Sequence, residues 1–360
     1  MKVLVMGGTR FNGLALVHEL VRAGHDVTTF NRGITEATLP RGVRRLYGDR
    51  TDRARLREVL GGEEFDAIHD LSAYTPADVQ SMAELFRGRT GHYIFASSTV
   101  IYAASKVLPI TEDFPVDTSE KQIEYGLNKI ACERYLVQQW REHGFPATSV
   151  PFASVFGPHN MIPDREQRMF IRLLRGRKVL IPGDGSTLGQ IGHVDDEARA
   201  LRMMMLNPIT FGKRYNLTGK EYFSDEGYVD VIAEVIGVTP QKVFVPPAIM
   251  DDIWSGRMRL GEVATRENRG AGGGSHIVQV SQLVQRSAAN IHWWDQNVVF
   301  SIDRLRRDIG WEPDYTFRGA VLQTFDWFMR EGLDKTRQFD FSMEDELLDR
   351  LASQPARQHG

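Results

Sequence analysis

Short apolar runs alternate with amphipathic segments along the first half of the chain. Residues 2–6 are rich in branched apolar side chains, glycines follow, and residues 14–21 carry apolar positions at helical spacing. This succession predicts a strand, a tight turn and a helix, which open a parallel βαβ unit. The pattern then repeats. Further strands are predicted at 27–30, 44–49, 67–71, 92–97 and 147–152, and the clearest further helices at 78–86 and 125–143.

Strands that alternate with helices predict an α/β protein with a doubly wound parallel sheet, whose ligand crevice lies at the carboxyl ends of the strands. After about residue 155 the pattern loosens into helices and loops. The glycine-rich stretch near 264–280 is the most loop-like part of the chain and is expected to be mobile, either as a plain linker or as a cover over a substrate. Residues 346–360 are expected to form a tail.

The sequence Gly-Gly-Thr-Arg-Phe-Asn-Gly at 7–13 stands where the first strand meets its helix. Backbone N–H groups at such a helix start can hold a pyrophosphate, and glycines allow its close approach. We therefore predict dinucleotide binding here, against the alternative of a purely structural turn. Arg10 stands at a position where a third glycine is usual, so its side chain must swing out toward solvent or cofactor.

The end of the second strand carries Asn31 and Arg32, where such folds usually place an acid that binds the ribose hydroxyls. Without a carboxylate, Arg10 and Arg32 could pair with a 2′-phosphate. The sequence therefore favours NADP(H), with NAD(H) possible if Arg32 only stacks over adenine. Asp49 could accept the adenine amino group or cap its own loop.

Tyr125 and Lys129 lie four residues apart on one face of a predicted helix. A nearby ammonium is expected to lower the pKa of the phenol, so that it can act as an acid or base near neutrality. Ser97 and Ser98 end the fifth strand, which opens onto the same crevice, and a hydroxyl there could bind the reacting oxygen.

Composition narrows the class of protein. The chain has 360 residues, of which 42% are hydrophobic and 25% charged, and its net charge is −3. This balance offers no global attraction for nucleic acid or an anionic membrane, and no apolar run approaches a membrane span. The one cysteine, Cys132, excludes an intramolecular disulfide framework and is typical of a reducing compartment. A cytoplasmic location is expected, with no nucleic acid or membrane partner.

Together these motifs resemble the extended short-chain dehydrogenase/reductases, specifically the NAD(P)-dependent epimerase/dehydratase family. The resemblance also rests on FASSTVIYA at 95–103, YGLNK at 125–129, FGP at 156–158, GDGS at 183–186, HVDD at 193–196 and IGWEP at 309–313. It implies a Rossmann domain, a smaller substrate lobe and a catalytic set of Ser98, Tyr125 and Lys129, with Lys129 also holding the nicotinamide ribose. It further implies a homodimer that packs through the helices near 78–88 and 125–143.

Departures from the family pattern restrict the reaction. Thr99 and Val100 stand where the 4,6-dehydratases of the family carry Asp-Glu, so dehydration is not expected. The arginine that clamps a substrate diphosphate is missing after GDGS, and Pro151 and Ser154 replace the usual arginine and asparagine. The GGTRF turn resembles a branch that includes chloroplast stem-loop RNA-binding proteins, many of which have weakened catalytic sets.

The sequence therefore predicts a reductase that moves hydride between nicotinamide and a carbonyl or carbinol of a sugar-like or cyclitol-like small molecule. The alternatives are a sugar epimerase with tightly bound NAD and a non-catalytic RNA-binding or regulatory protein. The Rossmann domain is expected at 1–155 with parts of 190–220, and the mixed α/β substrate lobe at 156–345. The candidate cofactor-binding residues are Gly7, Thr9, Arg10, Phe11, Asn12, Gly13, Asn31, Arg32, Asp49, Leu71, Ser72, Ala96, Lys129, Phe152 and Val155. The weaker substrate candidates are Ser97, Thr99, Ser154, His193 and Trp293.

Two further clusters are interpreted as structural. The acids at 195–196 are expected to cap a helix with His193, not to bind a metal. The basic run Arg168, Arg172, Arg175, Arg177 and Lys178 is expected to be a solvated helix face. The aromatic cluster at 292–295 could stack on a sugar ring or pack within the lobe.

Overall fold

The computed structural model describes residues 1–160, 162, 165–260 and 293–353. The expected mobile loop near 264–280, His292 and the last seven residues lie outside this range. The described strands are β1 (Lys2–Met6), β2 (Asp26–Asn31), β3 (Arg44–Tyr47), β4 (Phe65–Asp70), β5 (Thr90–Ser98), β6 (Ala147–Phe152), β7 (Ser154–Phe156), β8 (Val179–Pro182), β9 (Leu188–His193), β10 (Tyr222–Ser224) and β11 (Lys242–Val245). The described helices are α1 (Phe11–Arg22), α2 (Arg53–Leu60), α3 (Pro76–Phe86), α4 (Glu124–His143), α5 (Glu166–Leu174), α6 (Val194–Met204), α7 (Asp225–Ile236), α8 (Pro247–Trp254), α9 (Asp303–Ile309), α10 (Phe317–Arg330), α11 (Leu333–Thr336) and α12 (Ser342–Ala352).

The main sheet has the order β3-β2-β1-β4-β5-β6, and every pair in it is parallel. The predicted α/β class and doubly wound sheet are therefore confirmed. The third strand is shorter than predicted, because the chain leaves the sheet after Tyr47 and turns at Gly48 and Asp49.

Helices cover both faces of this sheet, which explains why its strands read as continuous apolar runs. Val3 and Val5 pack on one side in a cluster with α1 and α6, whereas Leu4 and Met6 pack on the other with α2, α3 and α4. The chain also returns to the sheet late: residues 214–217 run beside β6 through parallel bridges. Residues 194–217 therefore belong to the layer formed by the main sheet and its covering helices.

In the second part of the chain, the described strands form two small sheets, β10-β9-β7 and β11-β8. A separate cluster of large apolar residues fills this lobe, drawn mainly from α5, α7 and α10. The helix α12 covers its end, so residues 346–352, predicted to belong to a tail, are instead helical.

The basic run on α5 is not a solvated face. Arg168 and Arg172 are buried and both pair with the buried Glu344 of α12, and Phe341 stacks beside their guanidiniums. A buried cation needs such a partner because desolvation penalises the charged form. The two arginines therefore fasten α12 to the lobe, and the prediction of a solvated face was wrong for them.

No helix among the described residues is long and apolar enough to span a membrane.

Two histidines of the main sheet are buried as neutral rings. His69 on β4 has both ring nitrogens buried without a partner, and His92 on β5 lies 2.8 Å from the Thr148 hydroxyl through Nε2 and accepts the Leu206 N–H through Nδ1. Burial lowers the pKa of each ring to about 3. An unfolded histidine takes up its proton near pH 6.5, so the folded state binds fewer protons below that pH.

We expect acid to destabilise the fold through these rings. Each ring stays neutral in the folded protein down to about pH 3, whereas in the unfolded chain it binds a proton below about pH 6.5. The free energy of unfolding should therefore fall by about 1.4 kcal/mol per pH unit for each ring as pH decreases from about 6.5 to 3. Urea unfolding of wild type and of His69→Leu at pH 7, 6, 5 and 4 tests this. Below pH 6, the free energy of unfolding of His69→Leu should rise relative to that of the wild type by about 1.4 kcal/mol per pH unit. Parallel curves would contradict the assignment for His69.

Candidate active site

A cavity of about 660 Å³ lies at the carboxyl ends of the main sheet's strands. It brings together most of the predicted site. The predicted residues that line it are Gly7, Thr9, Arg10, Phe11, Asn12, Gly13, Asn31, Arg32, Asp49, Leu71, Ser72, Ala96, Ser97, Tyr125, Lys129 and Phe152.

The glycine turn between β1 and α1 has the close packing that a phosphate cradle requires. Gly7 has a φ of +91°, and a Cβ on Gly13 would lie 2.1 Å from the Gly7 carbonyl oxygen. Only glycine fits at both places. The helix begins at Phe11, so its first N–H groups face the cavity edge that these residues line. The turn therefore fits the pyrophosphate of a dinucleotide.

The end of β2 presents cations and amides in place of a carboxylate. The Asn31 side-chain oxygen accepts the Gly33 N–H at 2.9 Å, which turns it toward its own loop. Arg10 swings out of the glycine turn, as predicted, and its Nε donates to the Thr35 hydroxyl at 2.8 Å. Arg10 and Arg32 both line this end of the cavity. An anionic group is therefore favoured here.

Asp49 caps its own loop. Its Oδ1 accepts from the Thr51 N–H and hydroxyl at 2.9 and 2.7 Å, and these bonds, the backbone one first, lower the pKa of the carboxyl. Of the two roles predicted for Asp49, the structure supports loop capping, and the carboxylate still lines the cavity.

Arg50 forms the floor of the cavity through a buried network. Its guanidinium donates to both oxygens of Asp70, at 2.7 and 3.0 Å, and to the Ser72 hydroxyl at 3.0 Å. The Tyr93 hydroxyl also donates to Asp70, at 2.6 Å. Arg50 and its neighbours hold the pKa of the Asp70 carboxyl below its usual range against the effect of burial. The network joins the end of β4 to Tyr93 of β5 beneath the site.

Lys129 is held firmly on α4. Its Nζ donates to the carbonyl oxygens of Ala73 and Ala96, both at 2.7 Å, and lies 5.5 Å from the centre of the Tyr125 ring. Burial lowers the pKa of this ammonium to about 8. The side chain therefore presents a fixed positive charge at neutral pH beside the phenol.

Tyr125 is a neutral phenol in this environment. Burial raises its pKa to about 12, whereas a hydrogen bond with Ser98 acts in the opposite direction. The prediction that Lys129 brings this pKa toward neutrality is therefore wrong, because desolvation of the phenolate is the largest effect on it. A neutral phenol can donate its proton to a developing alkoxide.

The residues around Ser98 divide between cavity and core. Ser97 lines the cavity with a buried hydroxyl that has no partner among the described residues. Ser98 contacts Tyr125 without lining the cavity itself, and the Thr99 hydroxyl turns away to donate to the Phe152 carbonyl. Ser154 and Val155 lie buried in β7, which pairs with β9, so the structure does not bring them to the cofactor cavity.

The remaining substrate candidates have other contacts. His193 is the N-cap of α6, as expected for its motif: Nδ1 accepts the Asp195 N–H, Nε2 lies 2.9 Å from Gln323, and the ring stacks on Tyr315. Trp293 donates to Asp251 at 3.0 Å and lies outside the cavity lining. Among the described residues no cluster of candidate metal ligands occurs.

Some lining residues escaped the sequence prediction. Arg50 follows the predicted Asp49 by one place, and Tyr74 follows the predicted Ser72 by two. The run Gly33, Ile34 and Thr35 continues the β2 loop. Their nearness to strand ends was a usable signal. The buried ion pair of Arg50 with Asp70 could not be predicted from the sequence, because the two residues lie 20 positions apart.

The chain matches known proteins both in sequence and in fold. The model of the NAD-dependent epimerase/dehydratase family matches residues 3–218. The chain is 26% identical to the chloroplast stem-loop binding protein of 41 kDa b from Arabidopsis thaliana, over 96% of this chain and 84% of that protein. It is 25% identical to 2′-dehydrokanamycin reductase from Streptomyces kanamyceticus, over 61% and 62% of the two chains. In fold it is similar to UDP-glucose 4-epimerase from Thermotoga maritima, with a TM-score of 0.70 and 20% identity over 92% and 100% of the chains.

Proposed function

Because the chain belongs to the NAD-dependent epimerase/dehydratase family, we propose that it is an oxidoreductase acting with NADP(H) on a sugar-like or cyclitol-like carbonyl or carbinol. The observation that carries this proposal is the Tyr125 phenol, whose pKa is raised and whose ring centre lies 5.5 Å from Lys129 Nζ, at the cavity of the glycine turn. The bound cofactor would supply or accept the hydride.

The chain's own residues have separate tasks in this proposal. Tyr125 donates the proton to the oxygen of the reacting carbon, and Ser98 orients that oxygen by its hydroxyl. Lys129, anchored on two carbonyl oxygens, stabilises negative charge on the phenol after the proton leaves and binds the nicotinamide ribose. The glycine turn holds the pyrophosphate. A phenol with a pKa near 12 remains protonated at neutral pH, as a general acid in carbonyl reduction must be.

The alternative within the family is an epimerase that retains NAD and leaves no net redox change. The two are separated by mixing the protein with reduced nicotinamide and a panel of sugar and cyclitol ketones. A reductase consumes the reduced cofactor in proportion to substrate, and mass spectrometry of the denatured protein finds little bound nucleotide. Stoichiometric NAD released on denaturation, with no net consumption by any ketone, would contradict the reductase proposal.

We propose NADP(H) over NAD(H) because Arg10 and Arg32 line the cavity where Asn31 replaces a carboxylate. Each charge-assisted hydrogen bond to a 2′-phosphate contributes about 1.5–3 kcal/mol to the binding free energy. Arg32→Gln should therefore weaken NADPH binding about 10- to 100-fold and leave NADH binding unchanged, as measured by fluorescence titration.

Arg41 offers a matched control, since it is exposed and does not line the cavity. Arg41→Gln should alter neither dissociation constant. Equal affinities of the wild type for NADH and NADPH would contradict the NADP(H) proposal while leaving the oxidoreductase proposal intact.

A second candidate function follows from the 26% identity to the chloroplast stem-loop binding protein, which extends over nearly the whole chain. Stem-loop RNA binding would depend on positive charge, and its affinity would fall steeply with salt. The net charge of −3 gives such a role no general support. Salt-dependent binding of a stem-loop RNA, together with no cofactor binding, would favour this candidate.

We propose a homodimer and a division into a dinucleotide-binding domain and a substrate lobe. The domain would comprise residues 1–155 and the return segment 194–217, because α6 and residues 214–217 pack against α1 and β6. The lobe would carry most of 156–345.

A further inference from the structure

Lys129 is a buried cation held by neutral groups. It is 3% exposed, and its Nζ donates two of its three protons to the carbonyl oxygens of Ala73 and Ala96, both at 2.7 Å. No carboxylate among the described residues forms an ion pair with it. Burial of a charge without an ionic partner is costly, so a further source of stabilisation is expected beside this ammonium.

Three aromatic rings surround the ammonium. Its Nζ lies over the rings of Phe95, Tyr74 and Tyr125, at 4.7, 5.1 and 5.5 Å from their centres. A cation within about 6 Å of a ring centre is attracted by the negative face of the ring, and the attraction grows where water is excluded. These three rings form an aromatic cage around Lys129.

Tyr74 differs from the other two members of the cage. Phe95 is fully buried in the apolar cluster of the main sheet, and Tyr125 is the proposed acid. Tyr74 is 52% exposed and lines the cavity, and its ring centre lies 6.2 Å from that of Tyr125. Its ring therefore adds little to the apolar core, and its closest association with the site is the contact with the ammonium.

The backbone holds Tyr74 firmly at this place. The N–H groups of Tyr74 and Thr75 both donate to Asp78 Oδ2 at 2.9 Å, and this carboxylate closes the capping box of α3. The preceding Ala73 is fully buried, and its carbonyl oxygen accepts from Lys129 Nζ. The loop that carries the ring is therefore tied both to α3 and to the ammonium itself.

The other charged and titratable groups around the ammonium do not supply a free counter-ion. Apart from the tyrosines of the cage, these groups are Asp70, Arg50, Cys132 and Glu133. Asp70 is bound through both oxygens by Arg50, and Oε2 of Glu133 accepts from Arg214 at 2.7 Å. Burial raises the pKa of the Cys132 thiol to about 12, so the thiol is neutral. The aromatic cage is therefore the remaining stabilising surface next to the two carbonyl oxygens.

We propose that Tyr74 is a positioning residue, whose ring face keeps the Lys129 side chain charged and in place. Only the catalytic consequence of this inference rests on the proposed oxidoreductase function, in which the ammonium stabilises the Tyr125 phenolate. A carboxylate beside Lys129 would stabilise the ammonium too, but its negative charge would oppose ionisation of the phenol. Neutral ring faces stabilise the cation without that disadvantage.

A titration of Lys129 by ¹³C NMR of the lysine Cε groups tests this without cofactor or substrate. The chain has nine lysines, and the signal that disappears in Lys129→Arg identifies Lys129. Burial lowers the pKa of Lys129 to about 8 in the wild type. Tyr74→Leu should lower the midpoint of this titration further, by about 0.5–1 pH unit, because loss of the ring face destabilises the ammonium and not the neutral amine.

Further variants separate the ring face from other effects. Tyr74→Phe should keep the wild-type midpoint, since its ring retains a negative face, and Tyr74→Ile should behave as Tyr74→Leu. Tyr222, an equally exposed tyrosine outside the cavity lining, gives the matched control Tyr222→Leu, which should titrate as the wild type. A ring that only shielded Lys129 from water would give the opposite sign, because hydration raises the midpoint toward its ordinary value. An unchanged or raised midpoint in both ringless variants would overturn the proposal.

Activity measurements give the catalytic consequence. For a ketone that the wild type reduces with NADPH, kcat should fall at alkaline pH as Lys129 loses its proton, and this fall should begin at lower pH in Tyr74→Leu by the same 0.5–1 pH unit, roughly. A shifted NMR midpoint with no reduction of any ketone would contradict the oxidoreductase proposal and leave the role of Tyr74 intact. Reduction of a ketone with an unshifted NMR midpoint would overturn the role of Tyr74 alone.

Discussion

Tyr125→Phe should lower kcat by about 10³-fold or more while leaving the dissociation constant of the cofactor unchanged. The change removes only the phenolic hydroxyl at the cavity, and general acid catalysis by a positioned group contributes about 10²- to 10⁴-fold. Single-turnover hydride transfer to a ketone accepted by the wild type, with nucleotide fluorescence titration in parallel, measures both quantities.

Tyr135 provides the matched control for this experiment. It lies on the same helix α4, and it is partly buried against the apolar cluster below the sheet, outside the cavity lining. Tyr135→Phe should retain the wild-type kcat. A Tyr125→Phe variant with near-wild-type kcat would show that another group donates the proton.

Arg50→Met should lower the free energy of unfolding by about 3–5 kcal/mol, because it leaves the fully buried Asp70 carboxylate without its bidentate partner. Cofactor affinity should fall as well, since Arg50 lines the cavity floor. Urea unfolding gives the stability. The double variant Arg50→Met with Asp70→Asn should recover part of the loss, because the uncompensated charge is gone.

An exposed ion pair provides the control for Arg50→Met. Arg44 pairs with Glu63 at 2.7 Å and is half exposed, so Arg44→Met should cost less than about 1 kcal/mol. If Arg50→Met also costs less than about 1 kcal/mol, the network does not stabilise the carboxyl end of the sheet in the way described.

The main sheet and most of its cavity could be predicted because their signals are local. The apolar runs of β1 and β4, the glycines at 7 and 13, and the spacing of Tyr125 and Lys129 each occupy a few consecutive positions. The topology of the sheet then brings strand ends together without further information. That is why fourteen of the fifteen candidate cofactor residues, all except Val155, line one cavity.

The predictions that were wrong concern burial, which depends on residues far apart in the sequence. Arg168 and Arg172 read as a solvated face because Glu344 lies more than 170 positions away. The pKa of Tyr125 was expected to fall because Lys129 is a neighbour in sequence, whereas desolvation by the assembled site raises it.

Residues 194–217 pack on the main sheet and its helices although they follow it by more than 40 positions, and this has a consequence for synthesis on the ribosome. Glu19 on α1 is nearly buried and pairs with Arg202 on α6 at 2.6 Å, and the apolar side chains of α1 pack on the same helix. A nascent chain that ends before α6 exposes this face of α1 and leaves Glu19 with only Arg22 of its own helix as a partner. The layer formed by the main sheet and its helices can therefore be completed only after residues up to 217 have been translated, and a truncation near residue 155 should yield an aggregation-prone fragment.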